Sequence, residues 1–116
     1  MARTLLIVDD HAAFRASARA LLESEGFVIV GEAEDGESAL RAVAALRPDV
    51  VLLDIALPGL DGFAVAERLH TDPAGPAVVL VSSREPSAYG QRIQRAPVRG
   101  FVGKRELSGA ALEALL

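Results

Sequence analysis

Residues 4–10 read Thr4-Leu5-Leu6-Ile7-Val8-Asp9-Asp10, an apolar run that ends abruptly in two acids. Successive apolar residues, without a polar residue at every second position, predict a strand that is buried on both faces. Similar runs occur at residues 49–53 and 77–82. Strands covered on both faces are typical of a parallel sheet between two layers of helices, so these runs indicate an α/β fold.

Five strand-like segments alternate with five segments of helical period along the chain. The predicted strands are Thr4–Val8, Phe27–Ala33, Asp49–Leu53, Ala77–Ser82 and Val98–Val102. The predicted helices are Ala12–Ser24, Glu37–Leu46, Gly62–His70, Ser87–Gln94 and Glu106–Leu115, and the fourth has the weakest pattern because it contains Gly90. Five such units predict strand order 2-1-3-4-5, a flavodoxin-like (βα)5 three-layer sandwich with the second and fifth strands at the edges.

The composition favours one folded domain over residues 1–116. The chain is 51% hydrophobic but only 4% aromatic, which suits thin helices packed on a sheet. A net charge of −4 offers no basic surface for phosphates, so we expect no direct nucleic-acid contact by this domain. Cysteine is absent, which excludes disulfides and thiolate metal sites. No apolar run reaches the roughly 18 residues of a membrane span, so we expect a cytoplasmic protein without membrane contact.

Three carboxylates follow the two strands that flank the point where the winding of this sheet reverses. Asp9 and Asp10 follow the first strand, and Asp54 follows the third. Ligands bind at such a point, beyond the carboxyl ends of the strands, so the acids are expected to share one cleft. Two carboxylates ~4 Å apart repel each other by about 4 kcal/mol, and a hard cation such as Mg²⁺ would offset that repulsion. The alternatives are that Asp9 and Asp10 cap the first helix and that Asp54 is a solvated loop acid.

Further side chains are predicted at the same edge of the sheet. Lys104 is the only lysine among twelve basic residues, and it lies just after the fifth strand, where its ammonium could pair with a phosphoryl oxygen. Ser82 ends the fourth strand and could donate to the same group, or else cap the next turn. Phe101 is expected to pack against a neighbouring helix, and His11 to lie on a helix surface. These residues predict half of a phosphate and metal site.

The chain resembles the receiver domain of a two-component response regulator. Four motifs carry the resemblance, in the order and spacing of that family. They are Leu6-Ile7-Val8-Asp9-Asp10-His11, Asp54-Ile55-Ala56-Leu57-Pro58-Gly59-Leu60-Asp61-Gly62, Val79-Leu80-Val81-Ser82-Ser83 and Gly100-Phe101-Val102-Gly103-Lys104. Together they span essentially the whole chain.

The resemblance implies that Asp54 is the phosphoacceptor, which takes a phosphoryl group from the histidine of a partner sensor histidine kinase. It implies that Asp10 binds Mg²⁺ directly and that Asp9 binds it largely through water. Asp54 and the backbone carbonyl of Ala56 would complete the protein ligands. Lys104 and the metal would then offset the charge that moves with the phosphoryl group.

The resemblance also implies a switch. The Ser82 hydroxyl would move to the phosphoryl group while Phe101 turns inward, which reshapes the surface formed by the fourth helix, the fifth strand and the fifth helix. A downstream output domain or protein would read this surface, and a phosphorylation-dependent homodimer is a further expected partner state.

The sequence departs from the family pattern at three places. Ser82 stands where threonine is commoner, Arg105 stands where many relatives have proline, and the fourth helix contains Gly90. Ala56 and Arg84 occupy positions that tune the lifetime of the phosphoryl group in this family. Because Ala56 has no polar group to orient water, we expect slow to moderate self-dephosphorylation.

Two other functions compete with phosphoryl-controlled signalling. One is an interaction module that keeps the receiver fold and works without phosphorylation. The other is a small Mg²⁺-dependent phosphatase with an aspartyl nucleophile, which would carry a second acid two residues after Asp54, where this chain has Ala56. The favoured hypothesis is a signalling domain that is not a turnover enzyme, since its catalysis is limited to its own phosphoryl group.

Overall fold

The computed structural model describes residues 2–116, which contain five strands and five α-helices. The strands are β1 (Thr4–Val8), β2 (Val28–Ala33), β3 (Val50–Asp54), β4 (Ala77–Ser82) and β5 (Gly100–Gly103). The helices are α1 (Ala12–Ser24), α2 (Gly36–Leu46), α3 (Gly62–His70), α4 (Arg92–Arg95) and α5 (Gly109–Leu115), with 3₁₀ turns at Pro86–Tyr89 and Lys104–Glu106. None of the helices in this described range is long and apolar enough to cross a bilayer.

The strands form one sheet in the order β2-β1-β3-β4-β5, and every neighbouring pair is parallel. This confirms the predicted fold class, including the positions of β2 and β5 at the edges. Val8 pairs with Leu53, and Asp54 pairs with Val81. The carboxyl ends of β1, β3 and β4 therefore lie side by side at one edge of the sheet.

Two apolar clusters lie on opposite faces of the sheet, as alternate strand residues point to opposite faces. Leu5 and Ile7 belong to the cluster that packs against α1 and α5. Leu6 and Val8 belong to the cluster that packs against α2 and α3. All four side chains are fully buried, and burial of each contributes about 1.5–3 kcal/mol. Strand β1 is thereby fixed on both faces, and the acids that follow it are held in place.

The fourth and fifth helices differ from the sequence prediction. Instead of one helix over residues 87–94, the chain forms the 3₁₀ turn Pro86–Tyr89 and the single turn of α4. Gly90 separates them, and its φ of +58° is a positive value that glycine adopts readily and that ends the first turn. The fifth helix begins at Gly109 rather than residue 106, because the Ser108 hydroxyl accepts a hydrogen bond from Ala111 N at 3.0 Å and caps it there.

Candidate functional site

The three predicted acids meet at the carboxyl edge of the sheet. Asp9 directly follows β1, and Asp54 is the last residue of the neighbouring β3. Asp9 is fully buried and Asp54 is 2% exposed, whereas Asp10 is exposed. One side-chain ligand atom from each of Asp9, Asp10, His11 and Asp54 lies within 4.8 Å of all the others. The two strands thus bring together the cluster of oxygen ligands that the sequence predicted.

Lys104 is the cation of this cluster. Its Nζ lies 2.7 Å from Asp9 Oδ2 and 3.6 Å from Asp54 Oδ2. The contact with Asp9 is an ion pair without the geometry of a directed hydrogen bond, and Asp9 Oδ2 has no hydrogen-bond partner among the described residues. Nζ also lies 4.5 Å from the centre of the Phe14 ring, a cation–π contact from α1. One ammonium therefore contacts two buried carboxylates and an aromatic ring.

Asp9 is fixed by the start of α1 rather than serving as its cap. Asp9 Oδ1 accepts a hydrogen bond from His11 N at 2.8 Å, and Arg15 donates to the Asp9 carbonyl at 2.7 Å. His11 occupies the N-cap position, where no side chain caps the helix, so the capping alternative for Asp9 and Asp10 is not what the structure shows. His11 is exposed as expected, yet its Nδ1 lies 3.1 Å from both Asp9 Oδ1 and Asp10 Oδ1. The imidazole is thus part of the rim of the acidic cluster.

Asp54 is an unusual carboxyl because it is buried beside other acids. Burial and the neighbouring Asp9 raise its pKa from the ordinary value of 3.8 to about 6, although Lys104 acts in the opposite direction. The Ala56 amide donates to Asp54 Oδ1 at 3.3 Å and also favours the ionised form. The solvated-loop alternative for Asp54 is therefore wrong. Ionised Asp54 is costly in the folded chain, and added positive charge would lower that cost.

The loop between β3 and α3 places Asp54 by close backbone packing. Asp61 caps α3, since its Oδ1 accepts from Ala64 N at 2.9 Å. Gly62 begins that helix, and a Cβ at this position would lie 2.5 Å from the Asp54 carbonyl oxygen and 2.8 Å from Ile55 Cα. Only glycine allows the helix to approach the strand so closely. The helix start therefore determines where the carboxyl end of β3 lies.

The remaining predicted residues lie around this cluster without contacting its carboxylates. The Ser82 side chain is buried, and its hydroxyl accepts from Arg84 N at 3.0 Å, as the turn-capping alternative predicted. The same hydroxyl also forms a hydrogen bond with the Tyr89 hydroxyl, and Tyr89 was not among the predicted site residues. Phe101 is half-buried against the cluster that contains α3, as expected for packing against a helix, and Arg84 is exposed. Ser82 ends β4 and Lys104 directly follows β5, so both lie at the carboxyl edge of the sheet.

Phe14 and Tyr89 are aromatic contact residues that sequence reasoning missed. Both reach the site from helical segments, where an aromatic residue at a half-buried position has the same signature as an ordinary core residue. The weak signal for Tyr89 is that it is the only tyrosine of the chain.

Comparisons with known proteins agree on one family. The family model described as the response regulator receiver domain matches residues 5–115. A protein of Pseudomonas aeruginosa described as a transcriptional regulator is 41% identical over 102 residues, covering 88% of this chain and 49% of that protein. The transcription regulator BvgA of Bordetella pertussis is 36% identical over 106 residues, covering 91% and 51%.

A solved structure gives the same result for the fold. The signal receiver domain of NarL from Mycobacterium tuberculosis superposes with a TM-score of 0.82 at 36% identity, covering 98% of this chain and 96% of that chain. The chain spans about half the length of the curated relatives that it matches.

Proposed function

The chain belongs to the family of response regulator receiver domains, and on that basis we propose that it accepts a phosphoryl group on Asp54 from a partner histidine kinase. The observation that carries this proposal is the position of the Asp54 carboxylate, which is buried, lies 3.6 Å from Lys104 and shares its cleft with Asp9 and Asp10. A buried carboxylate whose negative charge is poorly compensated is suited to a reaction that brings positive charge and a phosphoryl group to it.

The proposed step is a displacement at phosphorus. One carboxylate oxygen of Asp54 forms a bond to phosphorus while the bond from phosphorus to the donor imidazole nitrogen breaks, and that electron pair returns to the nitrogen. The product is an acyl phosphate on Asp54. Lys104 lies within reach of the Asp54 carboxylate and offsets the charge of the arriving phosphoryl oxygens. The domain handles only its own phosphoryl group in this proposal and is not a turnover enzyme.

The residues present fit a divalent cation. Three carboxylates share the cleft with a single ammonium, which leaves negative charge in excess, and the buried Asp9 Oδ2 has only an ion pair with Lys104. The side chains of Asp9, Asp10 and Asp54 and the backbone carbonyl of Ala56 would hold Mg²⁺, a hard ion that prefers oxygen ligands. When bound, Mg²⁺ supplies positive charge that offsets the phosphoryl oxygens.

The proposal includes a partner on each side of the reaction. A sensor histidine kinase supplies the phosphoryl group, and Ser82 and Phe101 carry the change to the surface formed by α4, β5 and α5. A downstream output domain or protein reads that surface, and phosphorylation favours a homodimer. The matched relatives are described as transcription regulators, which supports an output in gene expression. The cytoplasmic location expected from the sequence stays a prediction.

The direct test is phosphoryl uptake. After incubation with Mg²⁺ and acetyl phosphate, intact-mass measurement is expected to show one added phosphoryl group on the chain and none on an Asp54→Asn variant, which lacks the carboxylate nucleophile. A Glu67→Gln variant is the matched control, because Glu67 is exposed on α3, and it is expected to take up the group normally. If neither acetyl phosphate nor a kinase phosphorylates the chain, the interaction module that works without phosphorylation is the better function.

The phosphoryl lifetime gives a second prediction. Ala56 is exposed in the loop after β3 and has no polar side chain to orient water, so self-dephosphorylation of the chain is expected to be slow to moderate. An Ala56→Asn variant is expected to lose the group roughly tenfold faster, because its amide can position water near the acyl phosphate. The measurement is the decay of phosphorylated chain in Mg²⁺ after removal of the donor, with Ala44→Asn on the exposed side of α2 as control. A half-life of seconds for the unmodified chain would contradict this expectation.

A further inference from the structure

The Ser82 hydroxyl is already occupied in this structure. Ser82 is 3% exposed, and its Oγ lies 2.5 Å from the hydroxyl oxygen of Tyr89 and accepts from Arg84 N at 3.0 Å. Among the described residues, Oγ has no hydrogen bond to Asp54 or Lys104. The hydroxyl that the proposed function assigns to the phosphoryl group is therefore held by a different element, the 3₁₀ turn Pro86–Tyr89.

Tyr89 connects that hydroxyl to α3. Its ring packs edge-to-face on Phe63, with centres 5.9 Å apart and an interplanar angle of 65°. On the same Phe63 ring, the Arg92 guanidinium lies 4.1 Å from the centre, and Arg92 also pairs with Asp61 at 3.5 Å. A chain of contacts therefore runs from Ser82 through Tyr89 and Phe63 to the start of α3 and the single turn of α4.

The segment that carries Tyr89 has little internal stability. It consists of one 3₁₀ turn and one α-helical turn, separated by Gly90, whose φ is positive. Helical segments this short are not stable by themselves, because forming the first turn costs more than its hydrogen bonds return. The position of residues 86–95 therefore depends on side-chain contacts, and the bond between Tyr89 and Ser82 ties it to the site.

We propose that Tyr89 is a positioning residue that holds the Ser82 hydroxyl away from Asp54 in the unphosphorylated domain, and that capture of the phosphoryl group by Ser82 releases Tyr89 and residues 86–95 from α3. This inference rests on the proposed function, because it needs a phosphoryl group on Asp54. When the hydroxyl turns toward that group, its bond with Tyr89 breaks. A half-buried phenol left without a partner is unfavourable, so the ring moves toward water and gives up its packing on Phe63.

This link runs toward the groove between α3 and α4, which is lined by Asp61, Phe63, Ala64, Arg92 and Arg95. Release of Tyr89 and Arg92 from Phe63 changes the shape and charge of that groove. The contacts thus connect the phosphoryl site with a surface on the α3 side of α4, in addition to the surface formed with β5 and α5.

The first test removes only the hydroxyl of Tyr89. A Tyr89→Phe variant keeps the ring and its contact with Phe63, and its phosphoryl uptake from acetyl phosphate is expected to be about three- to tenfold faster, the effect of losing one competing neutral hydrogen bond. If Tyr89 had a merely structural role, loss of its hydroxyl would slow phosphoryl uptake or leave it unchanged. Either result would overturn the inference. Ser83→Ala, which removes an exposed neighbouring hydroxyl, is the matched control and is expected to leave the rate unchanged.

A double variant isolates the pair. In a Ser82→Ala background the competing bond no longer exists, so adding Tyr89→Phe is expected to change the uptake rate by less than about twofold. The same acceleration in both backgrounds would overturn the inference, because it would show that Tyr89 does not act through Ser82.

The second test uses the fact that Tyr89 is the only tyrosine. A chain labelled with 3-fluorotyrosine carries one fluorine, and its ¹⁹F resonance is expected to shift when intact mass shows a phosphoryl group on Asp54, but not in the phosphorylated Ser82→Ala variant. Phosphorylation with an unmoved resonance would overturn this inference and leave the proposed function intact. Absence of any added mass on the unmodified chain would instead overturn the proposed function and the inference with it.

Discussion

An Asp54→Asn variant is expected to be more stable than the unmodified chain at neutral pH when divalent metal is absent. Burial and the neighbouring Asp9 raise the pKa of Asp54 to about 6 from its ordinary value of 3.8. At about 1.4 kcal/mol per pKa unit, ionised Asp54 costs the folded state on the order of 3 kcal/mol, and a neutral amide of the same shape avoids most of that cost. The measurement is urea unfolding with a chelator present, compared with the Glu67→Gln control.

Because the pKa of Asp54 is raised in the folded chain, its effect on the free energy of unfolding depends on pH. Between the ordinary pKa of 3.8 and the folded pKa of about 6, the folded chain binds more protons at Asp54 than the unfolded chain does. The contribution of Asp54 to the free energy of unfolding therefore falls as pH rises through this range, and the cost is fully present above it. The advantage of the Asp54→Asn variant is expected to be largest at neutral pH and to disappear near about pH 4. Equal stability of the two chains at neutral pH would contradict the electrostatic account of the site.

Mg²⁺ is expected to reduce the difference in stability between the Asp54→Asn variant and the unmodified chain. A ligand that binds only the folded chain stabilises it in proportion to the logarithm of its concentration over its dissociation constant, about 2.7 kcal/mol at a hundredfold excess. The unmodified chain offers three carboxylates, whereas the Asp54→Asn variant offers two, so added Mg²⁺ should stabilise the unmodified chain more.

A Gly62→Ala variant is expected to lose about 3 kcal/mol of stability or more. The added Cβ would lie 2.5 Å from the Asp54 carbonyl oxygen and 2.8 Å from Ile55 Cα, both backbone atoms that cannot turn aside as a side chain can. The start of α3 must therefore move away from the end of β3. Because Asp54 is that end, phosphoryl uptake is expected to slow as well, by roughly tenfold or more for a displacement of ~1 Å.

Gly59→Ala separates this clash from ordinary backbone strain. Gly59 lies in the same loop with a φ of +73°, but nothing lies within 4 Å of the position its Cβ would take. Its replacement is expected to cost only about 1–2 kcal/mol, the penalty of a left-handed conformation. Urea unfolding of both variants measures the difference, and a Gly62→Ala chain no less stable than Gly59→Ala would show that the close approach to Asp54 is unimportant.

The sheet could be predicted from the sequence because the pattern that indicates each strand lies within a few consecutive residues. Residues 5–8 and 50–53 are apolar without alternation, a pattern typical of interior strands of a parallel sheet, which bury both faces. The strand order then places Asp9 and Asp54 side by side, so the meeting of the acids with Lys104 could be expected before any coordinates. The positions of the acids and of Lys104 could be predicted from the strand order alone, without knowledge of side-chain contacts.

The region after β4 could not be predicted in the same way. A helix over residues 87–94 is plausible from composition alone, but Gly90 and the packing of Tyr89 and Arg92 on Phe63 divide it into two single turns. These contacts join residues far apart in sequence and have no periodic signature. The contact of Phe14 with Lys104 was missed for the same reason.

The confinement of Lys104 has a practical consequence for proteolysis. Lys104 is the only lysine of the chain, and its ammonium contacts two buried acids and the Phe14 ring. A lysine-specific protease therefore has one target bond, and that bond borders the reactive cleft. Cleavage of the native chain requires the lysine side chain to leave the cleft, so the digestion rate reports local opening of this edge of the sheet separately from global unfolding.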